Sequence, residues 1–129
     1  MRNNGSVSGT IPVKDGYFKV KLPIIKFEED GCKISYCPAL NVSGYGKSDE
    51  EAIESFKISL NEFFKYSTNK KTFEKEMERM GWTISHNKSK TMTPPPMAKL
   101  LLENENFSRI FNEHSYYKED LTIEMPIAV

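Results

Sequence analysis

The chain has 129 residues and a formal net charge of +0. This length suits a single domain, and the balanced charge argues against a protein that grips nucleic acid through a broad basic surface. No apolar run approaches the ~20 residues of a membrane helix, and the N-terminus lacks the apolar segment of a signal peptide. We therefore expect a cytoplasmic protein with no membrane segment, and no motif in the chain predicts a cofactor or a metal.

The first predicted elements are strands. Residues 1–9 are polar and rich in Gly and Ser, which predicts a flexible start before a core that spans residues 10–85. A short strand is expected at Thr10–Val13. A longer one follows, in which every second residue is apolar, from Phe18 to Ile24. The apolar positions then shift by one at Pro23, to Ile25 and Phe27, which predicts a bulge or kink.

Residues 30–64 contain the most informative pattern. Asp30-Gly31 predicts a turn, and the alternation from Lys33 to Tyr36 predicts a half-buried strand. Pro38 ends the regular pairing because it has no N–H. Leu40 and Val42 then start a second apolar run. The glycines that follow predict a bulge or tight bend, at Gly44 and Gly46.

A capped helix comes next. Ser48 is a predicted N-cap, and Glu51 stands three residues later, which completes a capping box. Apolar residues then recur at helical spacing on one face: Ala52, Ile53, Phe56, Leu60, Phe63 and Phe64. Beyond a polar break, a second helix is expected at Thr72–Met80, with Gly81 as its terminator. Trp82 and Ile84 would form a last core strand.

These elements predict an α+β fold, with a small antiparallel sheet of three to four strands and two helices on one face. Residues 86–96 contain three consecutive prolines and are predicted to be a stiff linker. Cys32 and Cys37 lie five apart on one predicted strand and point to opposite faces. We therefore expect two unpaired, buried thiols rather than a disulfide.

The remaining residues, 97–129, form a predicted C-terminal arm of a helix, broken or split near Asn104, followed by a strand. In this strand every second residue is apolar, and Pro126 favours an edge position. The arm could fold back onto the core. Alternatively it forms a surface for oligomerisation or partner binding, and we name its apolar residues as candidate contacts: Phe107, Ile110, Phe111, Leu121, Ile123, Met125 and Ile127.

Catalysis is not predicted. The clustered carboxylates, at Glu28–Asp30 and Asp49–Glu51, fall where a turn and a helix N-terminus need them. His86 and His114 lack a neighbouring nucleophile or a metal-ligand spacing and are expected to be solvated. We therefore expect a protein that is not an enzyme.

Residues 21–84 resemble the HicB-like antitoxins of toxin–antitoxin pairs. The resemblance rests on the Asp30-Gly31 turn, Pro38-x-Leu40, Gly44-x-Gly46 and the run Ser48-x-Glu50-Glu51-Ala52, in that order before the apolar helix. It implies a core like a truncated ribonuclease H without the catalytic carboxylates. It also implies a HicA-type partner, a small mRNA interferase whose active site is blocked by the antitoxin.

The C-terminal part departs from that family. Many members carry a helix-turn-helix or ribbon-helix-helix domain there, and residues 97–129 match neither, so the sequence contains no recognisable DNA-binding module. A homo-oligomer is expected from the apolar arm. The alternative function is an orphan HicB-like homo-oligomeric domain that binds a small ligand or another protein.

Overall fold

The computed structural model describes residues 11–13, 17–65, 70–85 and 92–126. Its central layer is an antiparallel sheet of five strands: β1 (Ile11–Val13), β2 (Tyr17–Glu29), β3 (Cys32–Cys37), β4 (Val42–Gly46) and β7 (Tyr116–Pro126). The helices are α1 (Asp49–Lys65), α2 (Lys70–Arg79), α3 (Met97–Glu103) and α4 (Glu105–Glu113). A separate hairpin pairs β5 (Thr83–Ile84) with β6 (Met92–Thr93). The predicted α+β class is confirmed.

The central strand of the sheet is β2. It pairs with β7 over residues 17–27, with β1 over residues 17–19 and with β3 over residues 25–29. β1 and β3 pair with residues of β2 that also pair with β7, so both must lie on the edge of β2 opposite β7. Pro23 lies between them, where the described residues include no strand neighbour on that edge, and such positions tolerate a residue without an N–H.

The predicted bulge at Pro23 is wrong, because the register of β2 against β7 runs without interruption from Tyr17 to Phe27. The apolar shift has another cause. Ile24 and Ile25 point to opposite faces of the sheet, yet both are buried. Both faces of the sheet are therefore covered at this point.

Different helices cover these two faces. Gly44 lies against Phe56 of α1, and the register places Ile24 on that same face. Phe27 is on the other face. Its ring centroid lies 5.1 Å from that of His114, at the end of α4. α1 therefore packs on one side of the sheet, and α4, a helix of the predicted C-terminal arm, packs on the other.

The two glycines of β4 serve close packing rather than a bulge. The pairing of β3 with β4 is continuous from Lys33–Gly46 to Cys37–Val42, so the predicted bulge is wrong. A Cβ built on Gly44 would lie 2.1 Å from the backbone nitrogen of Phe56, and one on Gly46 would lie 2.4 Å from the Cβ of Glu51. Only glycine lets α1 approach the strand so closely.

Pro38 ends β3, as predicted, and begins the turn to β4. The turn closes with a hydrogen bond of 2.8 Å from the Asn41 N–H to the Cys37 carbonyl, and Asn41 adopts φ 57°. The Trp82 indole Nε1 donates to the Ala39 carbonyl at 2.8 Å. A buried Trp N–H needs such a partner, so the turn and the segment after α2 are held together.

The predicted terminator of the second helix is confirmed. Gly81 has φ 100°, and the Trp82 N–H donates to the Met77 carbonyl at 3.0 Å, which closes the helix end. The predicted last core strand is corrected, because β5 pairs with β6 in its own small sheet and does not join the central one.

The core extends beyond its predicted end at residue 85. Residues 86–91, like the predicted flexible residues 1–9, lie outside the described residues. Met92 and Pro95, however, are buried, and a Cβ on Gly81 would come within 3.1 Å of the Pro95 ring. This end of the predicted linker is therefore part of the packed core.

The C-terminal segment folds onto the core. β7 pairs with β2 along its whole length, and four of the predicted partner-binding side chains belong to the hydrophobic core cluster: Phe107, Ile110, Ile123 and Met125. Their assignment to a partner is corrected, because side chains that are buried inside the chain cannot contact a partner. The predicted split near Asn104 is confirmed by the boundary between α3 and α4.

Asn104 explains that split. Its side-chain oxygen accepts from the Phe107 N–H at 3.0 Å and so caps α4. Its side-chain nitrogen donates to the Tyr36 hydroxyl at 2.9 Å, and that hydroxyl donates to the Asn41 side chain at 2.7 Å. This chain of hydrogen bonds ties the start of α4 to the β3–β4 turn.

Candidate partner-binding site

The described residues hold no group of three or more His, Cys, Asp or Glu that could bind a metal ion. Cys32 and Cys37 are both unpaired, as predicted, but only Cys37 is buried, whereas Cys32 is half-buried. Burial raises the pKa of the Cys37 thiol to about 12, so it remains protonated at neutral pH and is a poor nucleophile.

His114 was predicted to be solvated, but the structure places it in a cluster of contacts. Its Nε2 lies 3.4 Å from a carboxylate oxygen of Glu29, and Arg109 approaches the same oxygen at 3.5 Å. The imidazole also rests on Phe27. These contacts join the end of α4 to the end of β2, which is a structural task, and the expectation of a solvated histidine is corrected.

The predicted Ser48 N-cap of α1 is present, and the Glu51 side chain reaches back one residue further than in a standard capping box. The Glu51 N–H donates to the Ser48 hydroxyl at 3.1 Å, while the Glu51 carboxylate accepts from the Lys47 N–H at 2.8 Å. Two backbone donors at the helix start are thereby satisfied.

We expect Ser48→Ala to lower the free energy of unfolding by about 1 kcal/mol, because the Glu51 N–H loses its acceptor. Chemical denaturation measures this loss. Ser48→Asp, which restores an acceptor at the N-cap, should recover most of it; equal stability of the alanine variant and the parent chain would contradict the assignment.

The three other predicted partner-binding residues have different fates. Phe111 is 46% exposed on α4 and Leu121 is half-buried on β7, so both stay available to a partner. Ile127 lies outside the described residues. Leu121 lies on β7 and Phe111 lies beside it, so this strand is the candidate binding surface.

The outer edge of β7 is open. Among the described residues β7 pairs only with β2, and its 11 residues make it the longest edge strand of the sheet. The other edge strands are shorter. β1 has 3 residues, and β4 has 5, of which Tyr45 already donates its N–H to the Ser55 hydroxyl of α1 at 3.0 Å. A long strand edge with unpaired N–H and C=O groups is a template for another strand.

Apolar side chains flank this edge on the α1 face. A groove of about 920 Å³ runs between α1 and the second half of β7. Ile58, 63% exposed, and the half-buried Phe64 line it from the helix, and Leu121 lines it from the strand. An added strand would find these apolar side chains beside the open edge, among the polar and charged residues that also line the groove.

A second flank lies on the α4 face. The ring of Phe111 is 5.7 Å from that of Tyr116, the first residue of β7. We define the β7 edge surface as the outer edge of Tyr116–Pro126 together with Ile58, Phe64 and Phe111. Aromatic and aliphatic groups beside a backbone edge are the usual anchors of a protein interface.

Two polar contacts hold β7 in place. The Lys26 ammonium, which is almost completely buried, is 2.6 Å from the Glu119 carboxylate. The Tyr117 hydroxyl donates to an Asp49 carboxylate oxygen at 2.8 Å, and this hydrogen bond raises the pKa of the Tyr117 phenol. The strand is thus fixed to both β2 and α1 before any partner arrives, which lowers the entropic cost of binding.

Sequence reasoning missed Ile58 and Tyr117 as parts of this surface. Ile58 follows Phe56 by two positions and so falls off the apolar stripe of α1, a signal that could have identified it. Tyr117 gave no such signal, because its exposure depends on where β7 docks.

Comparisons with known proteins found nothing similar: no family model, no curated protein and no solved structure matches the chain. Within the described residues, none of the helices combines the length and the apolar content needed to cross a membrane.

Proposed function

We propose that the chain is a non-catalytic, cytoplasmic, antitoxin-like protein that binds and masks a HicA-type mRNA interferase. Two things support this proposal: the resemblance of residues 21–84 to HicB-like antitoxins, and the β7 edge surface. The open edge of β7 is the observation that carries it, because it is a surface suited to a protein partner. The proposal requires neither cofactor nor metal.

The mode of binding follows from the edge. A strand of the partner would add to β7 through backbone hydrogen bonds, and its side chains would enter the groove beside Ile58 and Leu121. Inhibition would be steric, since the bound antitoxin covers the active site of the interferase without turnover. DNA binding is not part of the proposal.

Co-expression tests the proposal. Any short reading frame adjacent to this gene is expressed alone and together with the chain, and growth and co-purification are measured. We expect arrested growth with the small protein alone, rescue by the chain, and a stable complex that survives a metal chelator. If the small protein is harmless and no complex forms, the orphan homo-oligomeric domain becomes the better hypothesis.

Surface variants then test the place of binding. Ile58→Ser and Phe111→Ser should each weaken the complex about tenfold or more, as expected when an apolar anchor is lost. Leu102→Ser is the matched control. Leu102 is a large apolar residue that is 87% exposed on α3, and it is not part of the β7 edge surface. Equal affinity of all three variants would place the partner elsewhere on the chain.

A further inference from the structure

The residues of β7 are self-complementary in a single antiparallel register. We propose that, in the free protein, the β7 edge pairs with the β7 edge of a second copy about a two-fold axis at Leu121. Leu121 is the central residue of the 11-residue strand Tyr116–Pro126, so this register uses the full edge of both copies. The two sheets would join into one continuous sheet.

Charge supports this register. About Leu121, Lys118 of each copy lies opposite Glu124 of the other, and Asp120 lies opposite Thr122. All four side chains are exposed. Opposite charges on directly facing residues stabilise an antiparallel pair, and here the favourable pair occurs twice because of the symmetry. Within the described part of one chain, the Lys118 ammonium pairs with the exposed Asp120 carboxylate at 3.4 Å.

Neighbouring registers bring like charges together. A two-fold at Glu119 or at Asp120 would place that residue opposite itself, and a two-fold at Thr122 would place Asp120 opposite Glu124. Like charges directly opposite one another are destabilising. The register about Leu121 therefore avoids the repulsion that each of these alternatives contains.

The two-fold also accounts for the apolar flank. A two-fold perpendicular to the sheet keeps the α1 helices of both copies on the same side, so Leu121 would face its own counterpart beside the groove. Ile58 and Phe64 line that groove and would be covered on association. The charged residues of β7 would favour a strand of complementary charge over other strands, because a mismatched strand brings like charges together.

This inference rests on the proposed function only in using the same strand edge. A strand edge accepts one neighbour, so a second copy and an interferase would exclude each other at β7. The free chain would then be a dimer whose edge becomes available when the partner displaces the second copy. The experiment uses the purified full chain alone, so its result does not depend on whether a toxin exists.

Charge reversal is the test, with sedimentation and light scattering as the measurement. Lys118→Glu and Glu124→Lys should each weaken self-association about tenfold or more, because each places two like-charged pairs across the two-fold. An equimolar mixture of the two variants should associate again, since every facing pair is then of opposite charge. Glu78→Lys, an exposed charge reversal on α2, is the control and should leave association unchanged.

Cross-linking checks the register in a Cys32→Ser background. Asp120→Cys and Thr122→Cys should each fail to form a disulfide-linked dimer alone, but should form one when mixed, because those positions face each other. A chain that stays monomeric at hundreds of micromolar, a rough upper range for weak dimers, would overturn the inference. So would a dimer that both reversals leave intact, or a mixture of the cysteine variants that does not cross-link.

Discussion

Replacing Phe107 by alanine is expected to lower the free energy of unfolding by about 3–5 kcal/mol, whereas Phe111→Ala should cost about 1 kcal/mol or less. Both residues lie on α4, four positions apart, so the two substitutions are matched in residue type and helix. Phe107 is 1% exposed within the core cluster, while Phe111 is 46% exposed. The difference arises because only the first substitution leaves a cavity.

Urea denaturation followed by tryptophan fluorescence measures both values, since the single Trp82 is buried in the same cluster. The pair decides whether the C-terminal segment is part of the fold. If Phe107→Ala cost no more than Phe111→Ala, α4 would not pack on the sheet, and the alternative of a C-terminal arm that forms a surface for oligomerisation or partner binding would stand. Circular dichroism at the helix minimum controls for loss of α4 itself.

Gly44→Ala is expected to cost about 3 kcal/mol or more, at or above the upper end of typical overpacking penalties. The added Cβ would lie 2.1 Å from the Phe56 nitrogen and 2.4 Å from the Ala52 carbonyl oxygen. Both neighbours are backbone atoms of α1, so no side-chain rotation can relieve the contact. Either the helix must move away from β4 or the strand must leave the sheet.

Gly31→Ala is the control for this substitution. Gly31 has φ 77° in the turn between β2 and β3, and no atom lies within 4 Å of an added Cβ there. Its cost should be about 1 kcal/mol, which is the penalty of a left-handed backbone for a residue with a side chain. Thermal or urea unfolding compares the two variants. A smaller loss for Gly44→Ala than for Gly31→Ala would contradict the close contact of α1 with β4.

The functional proposals depend on which groups the fold leaves free. The β4 edge is partly occupied by the Ser55 hydroxyl, whereas β7 has an unpaired outer edge among the described residues. The β7 edge surface would bind either an interferase strand or a second copy. The co-expression and charge-reversal experiments separate these cases, because the first needs the partner gene and the second needs only the chain.

Local features of the sequence were sufficient wherever neighbours along the chain decide the structure. The Asp30-Gly31 turn, the Ser48 N-cap, the Gly81 helix end and the split near Asn104 all depend on backbone groups within a few residues. The same holds for the α+β class, which follows from the order of helical and alternating segments.

Contacts between distant segments could not be predicted in this way. The shift of apolar positions at Ile25 suggested a bulge, but its cause is α4, which lies some eighty residues further along the chain and covers the second face of the sheet. Gly44 and Gly46 suggested a bend, but their cause is the approach of α1. The alternation from Leu121 to Val129 predicted a strand, and Pro126 predicted an edge position. Only the tertiary structure decided that β7 pairs with β2 of its own chain, because a strand's pattern shows which face is buried but does not identify the strand beside it.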